Sequence, residues 1–210
     1  MHVLITGANR GIGHALVETY RARGDRVIAT ARRPSGDEWP LDLSRQADFD
    51  DLARRLQDQA LGLLVCNAGI YADKGVSIDG LTRAIWDESF ATNVTGAFMT
   101  VRACLPALRR GGGKIALISS VMASDAGAPG GALAYRASKA ALLNLGRNLA
   151  VDLELPVGIY HPGWERTDMG GPGAAVSVET AAAGLIARFD ALSPESSGEF
   201  LSYDGSVIPF

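Results

Sequence analysis

The sequence predicts an α/β fold: a single domain in which helices cover both faces of a parallel, doubly wound sheet. Short, continuous apolar segments recur along the chain, and segments with helical periodicity separate them. Strands of this kind are buried on both faces, as in parallel sheets that helices cover. The length of 210 residues suits one domain, residues 1–210, and no linker, repeat or low-complexity tract divides it.

In the first half of the chain, strand and helix patterns alternate from the first residues onward. Three short apolar runs predict strands, and two stretches predict helices, of which the first ends at Gly24 and the second is amphipathic. In chain order these are a strand at 3–5, a helix at 13–23, a strand at 27–30, a helix at 49–59 and a strand at 63–65.

The second half continues the alternation. A long helical stretch at 81–110, which fits one or two helices, stops at three consecutive glycines, 111–113. The remaining elements are a strand at 114–119, a helix at 135–153, a strand at 157–160, a helix at 178–191 and a short strand at 198–202. Strands that alternate with helices indicate a parallel sheet.

Composition and charge exclude several classes of protein. The 20 basic and 23 acidic residues leave a net charge of -3, too little positive charge to favour nucleic acid or an anionic membrane. Two cysteines, Cys66 and Cys104, are too few for a disulfide framework, and no metal-ligand spacing occurs. No apolar run reaches the ~18 residues of a membrane helix. The first strand leads straight into a glycine-rich turn, so we expect no leader and a cytoplasmic protein.

The first predicted strand ends in a glycine-rich turn, Thr6-Gly7-Ala8-Asn9-Arg10-Gly11-Ile12-Gly13, and a helix follows at once. Glycines at these positions allow a tight turn and a close approach of the backbone to a pyrophosphate, and the helix N-terminus attracts that anion. A glycine turn that merely packs a helix on a strand is the alternative. The strand-turn-helix context favours dinucleotide binding.

With this turn, the sequence resembles the short-chain dehydrogenase/reductase family over nearly the whole chain. Further motifs follow in the family's order: Asp42 in Leu41-Asp42-Leu43, Asn67-Ala68-Gly69, Ser119-Ser120, Tyr135-Arg136-Ala137-Ser138-Lys139, and Pro162-Gly163 followed by Thr167. Cys66 departs from the pattern, since an asparagine is usual there. The Tyr-Arg-Ala-Ser-Lys box, His161-Pro162-Gly163-Trp164 and the Tyr203-Asp204-Gly205 tail are similar to the branch of the C-factor and the sniffer-type carbonyl reductases.

Tyr135 and Lys139 are four residues apart on a predicted helix, so their side chains share one face. A tyrosine with an ordinary pKa of ~10 is a poor acid at neutral pH, and a nearby ammonium lowers that pKa. Such pairs also occur by chance in helices. Within a dinucleotide-binding fold, the pair indicates proton transfer to or from a carbonyl or alcohol oxygen.

The resemblance implies roles for the remaining site residues. Tyr135 would donate the proton, Lys139 would hold the nicotinamide ribose, Ser120 rather than Ser119 would bind the reacting oxygen, and Asn93 would link Lys139 to water. The cofactor would contact the glycine turn, Asp42 and the segments after the strands at 63–65 and 157–160. The full predicted cofactor set is Gly7, Asn9, Arg10, Gly11, Ile12, Gly13, Arg32, Arg33, Asp42, Leu43, Asn67, Ala68, Gly69, Tyr135, Lys139, Pro162, Gly163 and Thr167.

Arginines at two places in the chain predict NADP(H) rather than NAD(H). An acidic residue after the second strand would bind the ribose 2′-hydroxyl of NAD, but here Arg32 and Arg33 follow that strand. An arginine binds a 2′-phosphate well, whereas a carboxylate would repel it. Arg10 stands where NADP-preferring family members carry a cation. Solvated surface charges are the alternative explanation.

Other residues have open roles. Tyr71, Met122, Trp164 and Met169 follow motifs that border the family's substrate cleft, so they either line a pocket or belong to the core. His161 is expected to be structural. Glu165 replaces a usual Val or Ile, and we expect it to reach solvent. The segment 168–177 is rich in glycine and proline, which argues against a lid helix.

The sequence therefore predicts an NADPH-dependent oxidoreductase that reduces a ketone or aldehyde to an alcohol. Its partner would be a small-molecule carbonyl or alcohol, with no nucleic acid and no membrane. Many members of the family pair through the helices that correspond to 81–110 and 135–153, whereas some of its carbonyl reductases are monomers. We expect a homodimer and keep the monomer as the alternative. Two alternatives remain: a nucleotide-sensing or signalling protein with little turnover, and a lyase or epimerase on the same scaffold.

Overall fold

The computed structural model describes residues 1–164, 173 and 176–210, which include seven strands and the helices between them. The strands are β1 (His2–Ile5), β2 (Arg26–Ala31), β3 (Trp39–Pro40), β4 (Leu63–Cys66), β5 (Lys114–Ile118), β6 (Val157–His161) and β7 (Phe200–Ser202). The helices are α1 (Gly11–Ala22), α2 (Gln46–Arg55), α3 (Arg83–Phe90), α4 (Ala97–Gly111), α5 (Leu133–Asp152) and α6 (Val178–Ala191).

All seven strands belong to one parallel sheet, in the order β3-β2-β1-β4-β5-β6-β7. The order reverses between β1 and β4, since β2 and β3 lie on one side of β1 while β4 to β7 lie on the other. A parallel sheet with such a switch point is the doubly wound Rossmann-type arrangement. The predicted fold class is confirmed.

Helices cover both faces of this sheet, and each face has its own apolar core. Leu64 and Leu117 belong to the core on one side, together with residues of α2, α4 and α5. Their strand neighbours Val65 and Ala116 belong to the core on the other side, together with residues of α1 and α6. Successive side chains of a strand point to opposite faces, so strands buried on both faces must be apolar throughout.

The 81–110 stretch forms two helices, α3 and α4, which a π-helical turn joins at Ala91–Gly96. A Cβ on Gly96 would lie 2.6 Å from the Cβ of Leu43, so glycine permits this close approach. The stop at the glycine run is confirmed, because α4 ends at Gly111 and Gly112 follows in the left-handed conformation, with φ 55° and ψ 39°.

Two elements differ from the sequence-based prediction. β3 was not predicted, because a two-residue edge strand that contains Pro40 has no apolar run. α2 covers Gln46–Arg55 rather than 49–59. Its first turn is polar, with Asp48 stabilised at the positive end of the helix, and apolar periodicity begins only at Phe49. The other boundaries agree to within two residues.

Candidate active site

A cleft with a cavity volume of about 1200 Å³ opens at the carboxyl ends of the central strands. The residues that follow β1, β4, β5 and β6 line it, including the crevice between β1 and β4 where open α/β sheets bind ligands. Ordinary small-molecule pockets measure roughly 300–1,000 Å³, so this cleft has room for a dinucleotide and a small substrate.

The cleft brings together almost all of the predicted site residues. Those that line it are Gly7, Asn9, Arg10, Gly11, Ile12, Gly13, Arg32, Arg33, Asp42, Leu43, Asn67, Ala68, Gly69, Ser120, Tyr135, Lys139, Pro162 and Gly163. Tyr71, Met122 and Trp164 line it as well, whereas Asn93 is fully buried. The predictions for Thr167, Glu165, Met169 and most of the 168–177 segment lie outside the described residues.

The backbone conformation and the close packing of the glycine turn require glycine at positions 7, 11 and 13. Gly7 and Gly11 have φ of 62° and 53°, in the left-handed region that favours glycine. A Cβ on Gly13 would lie only 2.2 Å from the carbonyl oxygen of Gly7. The N-cap residue Arg10 offers α1 no side-chain cap, so the first N–H groups of α1 are suited to an anion. The residues present therefore fit the pyrophosphate of a dinucleotide.

Thr6 and Asn67 lock the glycine turn to the loop after β4. The Oγ1 atom of Thr6 accepts hydrogen bonds from the backbone N–H groups of Asn67 and Ala68, both at 3.0 Å. The amide Nδ2 of Asn67 donates to the carbonyl oxygens of Thr6 and Gly7, at 3.0 and 3.1 Å. The family resemblance predicted that Asn67 contacts the cofactor. In the structure, Asn67 also holds the glycine turn through its hydrogen bonds to the carbonyl oxygens of Thr6 and Gly7.

Charged residues surround the end of the cleft next to β2. Arg10, Arg32 and Arg33 are exposed and line the cleft. Asp42 also lines the cleft, and its Oδ1 accepts hydrogen bonds from the backbone N–H and hydroxyl of Ser44, at 3.0 and 2.7 Å. These two hydrogen bonds lower the pKa of Asp42, and the positive charge of Arg32 contributes further. Cationic side chains therefore dominate the rim of the cleft where β2 ends.

Tyr135 and Lys139 lie on one face of α5, and both are buried, with exposed fractions of 7% and 4%. The Nζ atom of Lys139 is 5.8 Å from the centroid of the Tyr135 ring and donates to the carbonyl oxygen of Ile118 at 2.8 Å. Burial lowers the pKa of Lys139 to about 8. At neutral pH the side chain is therefore an ammonium, held beside the tyrosine ring.

The two neighbouring serines make different contacts. The hydroxyl of Ser119 donates to the carbonyl oxygen of Lys139 at 3.0 Å and so holds α5 against β5. The hydroxyl of Ser120 accepts from the backbone N–H of Met122 at 3.2 Å. Because an accepting hydroxyl keeps its own proton for another acceptor, Ser120 is the serine suited to bind a substrate oxygen.

Asn93 lies in the π-helical turn, behind the cleft. Its Nδ2 donates to the carbonyl oxygen of Ile70 and to the hydroxyl of Ser138, both at 2.9 Å, and its Oδ1 accepts from the N–H of Ile70 at 2.8 Å. A Cβ on Gly69 would lie 3.2 Å from Oδ1 of Asn93 and 3.3 Å from Nζ of Lys139. Asn93 therefore fastens the loop after β4 beside Lys139.

His161 lies at the end of β6 and lines the cleft. Its Nδ1 is buried, with no hydrogen-bond partner among the described residues. Burial lowers the pKa of His161 to about 4, against a smaller opposing effect of Asp204. The imidazole is therefore neutral at physiological pH.

This pKa predicts a loss of stability in acid. Between pH 6.5 and about 4, the unfolded chain binds a proton at His161 that the folded chain does not, so the free energy of unfolding falls as the pH falls. Relative to His161→Gln, the wild type should lose roughly 3 kcal/mol over this range. Urea unfolding at pH 7 and pH 4.5 measures the difference. The same substitution at exposed His14 is the control, and parallel pH profiles for wild type and His161→Gln would contradict the expectation.

The site residues that the sequence-based prediction missed include two that hold the site together through hydrogen bonds, Thr6 and Asp73. Thr6, the first residue after β1, gave no signal beyond its place beside the glycine turn. Asp73 accepts backbone hydrogen bonds from the start of α5, and no local pattern marks it because its partners lie 61 and 62 residues away.

The described part of the chain contains no group of three or more His, Cys, Asp or Glu side chains that could hold a metal ion. None of the helices in that part is long and apolar enough to cross a membrane.

Comparison with known proteins agrees with this site. Residues 1–175 match the sequence model of the short chain dehydrogenase family. The chain is 37% identical to C-signal of Myxococcus xanthus over 154 residues, which cover 70% of this chain and 92% of that protein.

Solved structures agree as well. The NADPH-bound carbonyl reductase from chicken fatty liver superposes with a TM-score of 0.90 at 32% identity and covers 100% of this chain and 98% of its own. The carbonyl reductase Sniffer of D. melanogaster gives a TM-score of 0.91 at 29% identity and covers 100% and 99%. The chain therefore belongs to the short-chain dehydrogenase/reductase family of oxidoreductases, which bind nicotinamide cofactors, and it resembles the carbonyl-reductase branch of that family.

Proposed function

We propose that the chain, as one catalytic domain over residues 1–210, is an NADPH-dependent reductase of a ketone or aldehyde. The observation that carries this proposal is the convergence of Ser120, Tyr135 and Lys139 on the dinucleotide-sized cleft. A nucleotide-binding protein without chemistry would need neither a buried tyrosine nor a buried lysine at that place. Burying a lysine costs free energy, and a functional site is a common reason to retain one.

Three side chains take part in the proposed proton transfer: one donates the proton, and the other two assist it. NADPH, when bound, supplies a hydride to the carbonyl carbon of the substrate. Tyr135 donates its hydroxyl proton to the carbonyl oxygen, which becomes the alcohol oxygen. The ammonium of Lys139, 5.8 Å from the tyrosine ring, favours the phenolate that remains. Ser120 donates a hydrogen bond to the same oxygen and orients it.

The choice of NADPH over NADH rests on the rim beside β2. Arg10, Arg32 and Arg33 line the cleft there, and a guanidinium can bind a 2′-phosphate through charge-assisted hydrogen bonds. No acidic side chain directly follows Ala31, the last residue of β2, where NAD-dependent folds carry one. The NADPH-bound carbonyl reductase from chicken liver supports the same choice.

Replacing Arg32 with alanine should weaken NADPH much more than NADH. A charge-assisted contact contributes about 1.5–3 kcal/mol, so the Kd of NADPH should rise by roughly 10-fold to 100-fold while that of NADH stays nearly constant. Fluorescence titration with both cofactors measures the two values. Arg54→Ala is the control, because Arg54 lies on α2, pairs with Asp51 and does not line the cleft. Equal effects on both cofactors would mean that Arg32 does not contact the phosphate, and Arg33 and Arg10 would be tested next.

A panel of aldehydes and ketones with NADPH tests the activity itself. We expect the cofactor absorbance to fall in proportion to the alcohol formed. The similarity to C-signal favours one alternative, a signalling or nucleotide-sensing protein. NADPH binding without consumption across the whole panel would support that alternative, whereas substrate conversion without net cofactor consumption would indicate a lyase or epimerase.

The homodimer and the cytoplasmic location stay predictions. Light scattering tests whether the protein is a homodimer.

A further inference from the structure

Helix α5, which carries Tyr135 and Lys139, begins without a side-chain cap from its own N-cap residue. Its N-cap residue, Ala132, is the one non-glycine residue with positive φ in the described structure, at φ 51° and ψ 43°, and it makes no side-chain cap hydrogen bond. The first N–H groups of a helix have no acceptors within the helix. Acceptors for the first turn of α5 must therefore come from elsewhere in the fold.

Asp73, in the loop after β4, supplies them. Its Oδ2 accepts from the N–H of Ala134 at 2.8 Å, and its Oδ1 accepts from the N–H of Tyr135 at 3.2 Å. The residue is only 1% exposed, so this carboxylate is withdrawn from solvent. A carboxylate at a helix N-terminus is stabilised by the helix dipole, and two bonds from one side chain fix the direction of the helix start. The contact holds the backbone of Tyr135 itself.

Tyr71, two residues earlier in the same loop, contacts the side chain of Tyr135. The two rings stack, with centroids 4.4 Å apart and planes inclined by 20°. Stacking at this distance is favourable and restricts rotation of both rings. Because the rings stack, the Tyr71 ring covers one face of the Tyr135 ring. Tyr71 also lines the cleft.

The loop is fastened at its other end by Asn93. Both the N–H and the carbonyl oxygen of Ile70 bond to the Asn93 side chain, at 2.8 and 2.9 Å. Asn93 also donates to the hydroxyl of Ser138 on α5. Residues 70–73 are thereby attached to α5 at three points: through Asn93, through the Tyr71 ring and through the Asp73 carboxylate.

From these contacts we propose that residues 70–73 are a positioning element for Tyr135. Asp73 fixes the backbone of Tyr135, and Tyr71 fixes the plane of its ring, so that the hydroxyl is held in place for proton transfer. The proposal rests on the proposed function and extends it to residues that act only through Tyr135. Since a misplacement of about 1 Å in a reacting group can cost on the order of 100-fold in rate, loss of either contact should lower kcat.

The test is a set of matched variants, each measured for kcat and for the Kd of NADPH. Asp73→Ala and Tyr71→Ala should lower kcat by about tenfold or more and leave the Kd of NADPH unchanged. Tyr71→Phe keeps the stacked ring and should restore most of the kcat lost in Tyr71→Ala. Exposed Asp79, farther along the same loop, is the control, and Asp79→Asn should change nothing. Wild-type kcat in either alanine variant would overturn the proposal, as would an equal loss of NADPH affinity.

A double-mutant cycle separates positioning from a general structural role. In the Tyr135→Phe background, Asp73→Ala should lower the remaining kcat by less than twofold, because its effect acts through the tyrosine hydroxyl. Full additivity would contradict the proposal. Amide hydrogen exchange gives a readout independent of turnover: the N–H groups of Ala134 and Tyr135 should exchange faster in Asp73→Ala, while those at the centre of α5 stay protected. If the wild type reduces no carbonyl, the proposed function fails, whereas unchanged exchange would reject the role of Asp73 by itself.

Discussion

Replacing Tyr135 with phenylalanine should lower kcat by at least about 100-fold and leave the Kd of NADPH unchanged. The substitution removes one hydroxyl and keeps the ring that stacks on Tyr71. A positioned general acid typically contributes roughly 10²–10⁴ in rate, and the loss appears in kcat because the proton moves only in the reaction step. Steady-state kinetics and a fluorescence titration measure the two quantities.

Tyr71→Phe is the matched control for this change. It removes a hydroxyl from the neighbouring ring, whose centroid lies 4.4 Å from that of Tyr135, and keeps the same aromatic packing. We expect nearly wild-type kcat in that variant. Near-normal turnover in Tyr135→Phe, or an equal loss in both variants, would contradict the assignment of the proton donor.

Replacing Gly13 with alanine should weaken cofactor binding by at least tenfold. The added Cβ would lie 2.2 Å from the carbonyl oxygen of Gly7 and 2.6 Å from Nδ2 of Asn67, well inside contact distance. Because backbone atoms cannot move aside cheaply, the glycine turn and the start of α1 must shift apart. Overpacking of this kind costs about 1–3 kcal/mol or more in stability, and the displaced N–H groups should raise the Kd of NADPH by at least tenfold.

Gly127→Ala is the control, since a Cβ there would meet nothing within 4 Å and the glycine has no positive φ. Thermal unfolding and NADPH titration of the two variants measure the effect. A Gly13→Ala protein with the wild-type melting temperature and wild-type affinity would show that the turn does not hold the cofactor as we describe.

The fold was predictable where local sequence determines structure. The bounds predicted for α6 agree with the structure, because a regular apolar stripe begins after Ser177, whose side chain accepts from the N–H of Thr180 and caps the helix. The end of α4 was predictable from its glycines. β3 was not, since two residues at a sheet edge are fixed by pairing with Thr30 and Ala31 rather than by their own pattern.

In the candidate site, too, the residues in short local motifs were predictable, and those whose contacts depend on distant parts of the chain were not. The glycine turn, the Tyr135–Lys139 pair and the arginines after β2 are short motifs, and the sequence placed them at one edge of the sheet. Asp73 escaped prediction because its acceptor role depends on the path of a loop and on a helix start 61 residues away. The different contacts of Ser119 and Ser120 were likewise visible only after β5 and α5 had been packed together.

Transfer of deuterium from NADPH that carries deuterium at both hydrogen positions of the reactive nicotinamide carbon tests the central claim most directly. The labelled cofactor is incubated with a carbonyl compound chosen from the panel, and the alcohol is analysed by mass spectrometry. We predict one deuterium on the carbinol carbon for each NADPH consumed by the wild type, and transfer slowed at least about 100-fold in Tyr135→Phe. Alcohol that forms without the label, or cofactor that binds with no transfer to any carbonyl, would contradict the account.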